Sequence, residues 1–111
     1  VRTIPALREI YQTHKDDDFV LIAVHTPEFS HEKDLDNVKD AIARLDVPYP
    51  VAIDNDWKTW RKYSNHYWPA QYLIDKRGQI RAVHIGEVHV GDNRFAELNA
   101  TIDALLAENV P

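Results

Sequence analysis

Apolar residues in this sequence fall into two kinds of block. In the first they recur at helical spacing: Ile4, Leu7 and Tyr11 with Ala6 and Ile10 beside them; Leu35, Val38, Ala41, Ile42 and Leu45; and Phe95, Leu98, Ile102 and Leu105/Leu106. In the second they form short runs that read as strands: "FVLIAVH" from Phe19 to His25, Val51 to Asp54, Gln71 to Ile74 and Gln79 to Ile85. The first strand is continuous rather than alternating, which predicts burial on both faces, as in a parallel sheet. Polar punctuation separates the blocks. Lys15-Asp16-Asp17-Asp18 reads as a solvated turn, and Asp75-Lys76-Arg77-Gly78 as the turn of an antiparallel hairpin, with Gly78 free to take positive φ.

Caps refine the helices. Pro5 is welcome in the first turn of a helix and awkward further in, so the first helix starts near it or kinks there. Ser30 is a candidate cap for the second helix. Asn55 or Asp56 is the candidate for a short third helix that sets Trp57, Trp60 and Tyr63/Ser64 on one side, and Asp92 or Asn93 for the last. The order is helix, strand, helix, strand, helix, hairpin, helix. It predicts a layered α/β domain with helices on both faces of a mixed sheet.

The sequence has 111 residues, enough for one domain spanning residues 1–111. A net charge of -5, with Lys and Arg scattered among acids, disfavours nucleic acid and anionic membrane as partners. No apolar run approaches the roughly 20 residues of a membrane span, so direct membrane insertion by these residues is not expected. Cysteine is absent, which excludes disulfides, thiolate chemistry and Cys-based metal sites within these residues. No phosphate loop or nucleophile elbow is present, and no cofactor is expected.

Four stretches carry a family resemblance that covers essentially the whole chain: "VRTIP", "VLIAVHTPEF", "EKDLDNVKDAIARLDVPYPVAIDND" and "YWPAQYLIDKRGQIRAVHIGE". Together they resemble a thioredoxin-like domain of the TlpA-like group, within the AhpC/TSA-Redoxin family, and especially the C-terminal domain of DipZ-type membrane proteins. The fold this implies is a thioredoxin-like mixed sheet lacking its N-terminal part. "VRTIP" is similar to the residues just after the second cysteine of a CxxC motif in the group. The resemblance therefore implies that the motif, and the strand before it, lie upstream of Val1. That strand would sit between the strand at Phe19–His25 and the one at Gln71–Ile74. Its loss leaves backbone groups without partners. The fragment is expected to be unstable alone or to fill the gap, for example as a strand-exchanged homodimer.

The resemblance also gives Trp68-Pro69-Ala70 a role. The proline at this place is cis in thioredoxin-like folds, faces the CxxC and helps align an extended substrate, with Trp68 adding apolar contact. Read without the resemblance, Pro69 is a trans proline opening an edge strand and Trp68 a core residue. Glu87, on the loop after the hairpin, is a candidate for proton transfer in thiol exchange, against a solvated loop glutamate. His84, Glu87 and His89 match no metal-ligand spacing, and no metal site is expected. His25 could join a site at the end of its strand; a satisfied strand-end histidine is the plainer reading. Trp57 and Trp60 read as core rather than as a stacking platform.

The functions implied are two. One is a thiol–disulfide oxidoreductase domain, acting on protein or peptide thiols and disulfides and redox-inactive without its cysteines. The other is a cysteine-free binding module that holds a peptide or carbohydrate in the same groove. The group's usual location implies an extracytoplasmic, membrane-tethered protein.

Overall fold

The computed structural model describes residues 3–108. Val1 and Arg2, the first two residues of the "VRTIP" stretch, lie outside them. The chain divides into two compact units, residues 20–66 in one and residues 3–19 with 67–108 in the other.

The first unit holds a parallel pair, β1 (Ala23–His25) and β2 (Val51–Ile53), with Ala23 opposite Val51 and His25 opposite Ile53. The predicted strand is longer than the observed one. Only its last three residues pair with β2, and Val20, Ile22 and Val24 are exposed, so it is not buried on both faces. The physical reason is the ladder: among the described residues β1 has a strand partner on one edge only. After β1 a 3-10 turn, Ser30–Lys33, precedes α2 (Leu35–Arg44). Asp34, not Ser30, caps α2, accepting from the amides of Asp36 and Asn37. Val38 and Tyr49 are buried in this unit.

Asp54 follows β2 and organises the next turn. Its carboxylate accepts from the amides of Thr59 and Trp60, each at 3.0 Å, and from the Thr26 hydroxyl at 2.9 Å. It thereby holds the start of α3 (Lys58–Lys62), where Asn55 or Asp56 was expected to act. Trp57 itself sits in the left-handed region at φ 63°, so the chain bends before the helix and the Asp54 side chain faces its first amides. Trp57 and Trp60 meet edge to face, ring centres 5.1 Å apart, and both are half-buried rather than fully in the core.

The second unit holds α1 (Ile4–His14), the hairpin β3 (Ala70–Ile74) and β4 (Ile80–Ile85), and α4 (Asn93–Leu106). Pro5 lies in the first turn of α1, where its missing N–H costs nothing. The helix buries Ala6, Ile10 and His14, and α4 buries Leu98 and Ile102. Full burial of a side chain such as Ile10 contributes about 1.5–3 kcal/mol. His14 ties the two helices, with Nε2 3.4 Å from Asn99 Oδ1 and Nδ1 3.3 Å from Asp17 Oδ2.

The hairpin forms where the sequence placed it. Ala70 pairs with Ile85 and Ile74 with Ile80, with an irregularity between Leu73 and Ile74. Its turn is built on Asp75, whose carboxylate accepts from the amides of Arg77 and Gln79, both at 2.9 Å, and from Arg81 Nη1 at 3.1 Å. Gly78 supplies the positive φ, 82°. Lys76 Nζ donates to Leu106 O at 2.9 Å and so satisfies a terminal carbonyl of α4. Parallel and antiparallel ladders are both present, as two separate two-stranded sheets.

Burial of Asp54 raises its pKa, but the amides of Thr59, Trp60 and Lys58 and the Thr26 hydroxyl outweigh burial and hold it below the usual carboxylate value. A lowered folded pKa stabilises fully above the unfolded value and is lost as pH falls through the folded one. Asp54→Ala is therefore expected to cost about 1–2 kcal/mol in urea unfolding at neutral pH. Asp54→Asn keeps an acceptor but cannot titrate, so between about pH 5 and about pH 3 its stability should decline less than that of the wild type.

Candidate functional site

The Trp68–Pro69 bond is cis, as the resemblance implied, and opens directly into β3. Proline brings no N–H here, and its carbonyl accepts from the Gly86 amide at 2.9 Å, which extends the hairpin ladder by one bond past Ile85. Tyr67 and Trp68 are 58% and 46% exposed, so the reading of Trp68 as a core residue does not hold. Pro69 and Ala70 are half-buried. The result is a backbone corner with two large aromatic side chains open to solvent.

Beside this corner, at the open end of the hairpin, runs the loop from Gly86 to Gly91. Gly86 takes φ 103°, and a Cβ there would overlap the guanidinium of Arg94, which donates to Ile85 O. Two residues on, Val88 is fully buried and its amide donates to Thr3 Oγ1 at 3.2 Å. Thr3 stands at the N-cap of α1 but makes no side-chain cap to its own helix. Its buried hydroxyl serves the loop instead.

Glu87 is thus fixed between two anchored neighbours, Gly86 on Pro69 and Val88 on the start of α1. Its carboxylate lies 3.4 Å from His89 Nε2, and both side chains are partly exposed. Asp92 closes the loop by accepting from the amides of His89 at 3.0 Å and Phe95 at 2.7 Å, and so caps α4 as predicted. The Phe95 amide is the main reason its carboxyl is held below the usual range; burial opposes, and the His89 amide and the charges of His89 and Arg94 reinforce.

His25 Nε2 meets Glu32 O at 2.9 Å and is satisfied against the 3-10 turn. His84 lies on β4 opposite Gln71. Among the described residues no three His, Cys, Asp or Glu side chains gather as a metal site. Sequence reasoning missed Thr3 and Arg94. Thr3 carries the local signal of a helix cap, two residues before Pro5. Nothing local signals a partner 85 positions away.

Comparison with known proteins shows the family. The pattern of the AhpC/TSA family matches residues 2–83. Protein DipZ of Mycobacterium bovis is 46% identical over 96 residues, which are 86% of this chain and 13% of that protein. The thiol–disulfide oxidoreductase YkuV of Bacillus subtilis is 28% identical over 105 residues, 95% of this chain and 67% of that protein. Among solved structures, a thiol–disulfide isomerase from Corynebacterium glutamicum superposes with a TM-score of 0.81 at 25% identity, over 96% of this chain and 70% of that one. The chain spans only a small part of DipZ.

The Thr3–Val88 bond can be tested alone. Thr3→Val keeps the shape of the side chain and removes the acceptor, leaving a buried amide unpaired at a cost of about 1–3 kcal/mol. Chemical unfolding should show that loss, and the Val88 amide should exchange with solvent faster.

Proposed function

The chain belongs to the AhpC/TSA family as a thioredoxin-like domain of the TlpA/DipZ type, and from that premise we propose that it is the substrate-aligning part of a thiol–disulfide oxidoreductase. All 111 residues are read as one such domain, which the 96% coverage by a solved neighbour supports. The observation that carries the function is the tie between the Pro69 corner, the Glu87 loop and the start of α1 through the Gly86 and Val88 amides. It brings the corner, the loop and the start of α1 together within one unit of the chain.

The sequence holds no cysteine, so the reactive thiols come from outside these residues. In the reaction a thiolate attacks one sulfur of a substrate disulfide, the S–S bond breaks, and the leaving thiolate takes a proton. A second thiolate then breaks the mixed disulfide. The substrate gains two electrons and two protons, and the protein's thiol pair becomes a disulfide. These residues orient the partner: the Trp68 backbone aligns an extended segment, the Trp68 ring covers apolar surface, and Ala70 continues the ladder. Glu87 gives or takes the proton. The substrates are protein or peptide thiols and disulfides. By likeness to DipZ-type membrane proteins the domain works outside the cytoplasm; among the described residues no helix is long and apolar enough to cross a membrane.

The 111 residues alone should not accelerate insulin reduction beyond dithiothreitol by itself in a turbidity assay, and joining a strand and a Trp-x-x-Cys-x-x-Cys segment ahead of Val1 should confer that acceleration. Activity from the cysteine-free chain would overturn both readings, and none from the extended one with peptide binding intact would leave the binding-module reading instead. In the extended protein, Glu87→Gln should slow turnover about 10²- to 10⁴-fold at neutral pH, in the range of a lost proton-transfer group.

The open edge of β1 favours a further statement about partners: two copies exchange strands to complete their ladders. Light scattering of the 111-residue chain at micromolar concentration should then give twice the mass of one chain, and a well-folded monomer would rule the exchange out.

A further inference from the structure

We infer that Arg94 is a positioning residue for the Trp68-Pro69-Ala70 corner, acting through Ile85 and Gly86. Arg94 lies in the first turn of α4, where the helix dipole favours anions and a cation is unfavourable. Helix stability therefore does not account for it. Its head group is committed elsewhere: Nη1 donates to Ile85 O, and the same nitrogen occupies the space beside Gly86 that a Cβ would need. Ile85 is the ladder partner of Ala70, and the Gly86 amide holds Pro69 O at 2.9 Å. The peptide plane between Ile85 and Gly86 thus has both polar ends fixed, its carbonyl by Arg94 and its N–H by Pro69. Rotation of that plane would release the Pro69 carbonyl and let the corner turn. Arg94 blocks the rotation from the side of the carbonyl.

Gly86 is the complementary half of the device. At φ 103° a side chain is strained, and any Cβ displaces the guanidinium. The charge of Arg94 also reaches Asp92, the α4 cap, so the arginine is drawn toward the helix start as well as toward Ile85. One cation therefore connects the helix cap, the end of β4 and the corner that precedes β3.

This inference rests on the groove reading for its functional consequence, and two measurements separate them. The first is hydrogen exchange of the Gly86 amide in the 111-residue chain. Arg94→Ala should speed it at least about tenfold, because the peptide plane that carries it is no longer held at Ile85 O. Arg94→Lys, which retains a donor for Ile85 O, should restore most of the protection. Gly86→Ala, observed at the Trp68 indole N–H by NMR, should shift that resonance in the same direction as Arg94→Ala. The second is binding of S-carbamidomethylated insulin B chain, which should weaken about fivefold in Arg94→Ala and recover in Arg94→Lys, while the melting temperature stays level or rises. Unchanged Gly86 exchange in Arg94→Ala would overturn the inference. So would a loss of affinity that merely tracks a loss of stability. If the wild-type chain does not bind the B chain, the groove reading falls, and the Gly86 exchange rates still decide the role of Arg94.

Discussion

Two amides, two residues apart, govern the site. Gly86 N–H reaches back along the hairpin to Pro69, and Val88 N–H reaches the hydroxyl of Thr3 at the head of α1. Val88 is fully buried, so its N–H must find an acceptor or cost about 1–3 kcal/mol. The loop does not satisfy it internally. The residue just before α1 supplies the acceptor, and does so with a side chain that would ordinarily cap its own helix. Forgoing that local cap in favour of a distant bond is a stability choice that makes sense only if the loop must stay beside the helix start. Glu87 lies between the two anchors, and its position is set by theirs.

The perturbed carboxylates of this chain belong to its architecture and not to its chemistry. Asp54, Asp75 and Asp92 each accept from backbone amides at a turn or helix start, and each is held below its usual pKa. For Asp75 the leading cause is the Gln79 amide, with burial opposing and Arg81 and the Arg77 amide adding. Arg81 bridges Asp75 and Glu108, the latter contributing most to the rise in its own pKa. A group locked in its charged form by several donors is a poor proton carrier near neutral pH. Glu87 lies on a partly exposed loop, 3.4 Å from His89 Nε2.

Periodicity made the helices and the hairpin legible, because those elements are local: Leu98 and Ile102 point inward at the spacing that predicted them, and Asp75-Lys76-Arg77-Gly78 turns the chain where its composition said. Thr3–Val88 was not legible, since no local pattern encodes a bond across 85 positions. The caps of α2 and α3 were misassigned for a related reason. Ser30 and Asn55/Asp56 have the right chemistry, but the choice of Asp34 and Asp54 depends on how the chain enters each helix, and Trp57 at positive φ is what aims Asp54 at Thr59 and Trp60. The Phe19–His25 stretch was over-read. A continuous apolar run reports a tendency to be covered on both faces, and the covering requires strands on both edges. With β2 on one edge only among the described residues, Val20, Ile22 and Val24 are left exposed. The site residues Trp68, Pro69, Ala70 and Glu87 came from family likeness, whereas Arg94, which contacts two of their neighbours, carried no family signal.

On the proposed function, the lack of cysteine in these residues divides the determinants of the chemistry, because the thiols must come from elsewhere. The driving force of thiol–disulfide exchange depends on the relative stabilities of thiols and disulfide, and its rate on the thiolate fraction and nucleophilicity of the attacking sulfur. Neither is set by a cysteine in these residues. On the proposed function what they contribute is geometry: where an extended partner would lie, which side would face Trp68, and how far its backbone would stand from the start of α1. Alignment of this kind lowers the entropic part of a barrier without touching the intrinsic reactivity of the sulfur. Substitutions at Trp68, Gly86 or Arg94 should therefore act on alignment and binding, and leave the reduction potential to the residues that carry the thiols. A corner organised by backbone hydrogen bonds rather than by charge would, on that function, stay the same while the sulfur chemistry supplied from elsewhere is tuned.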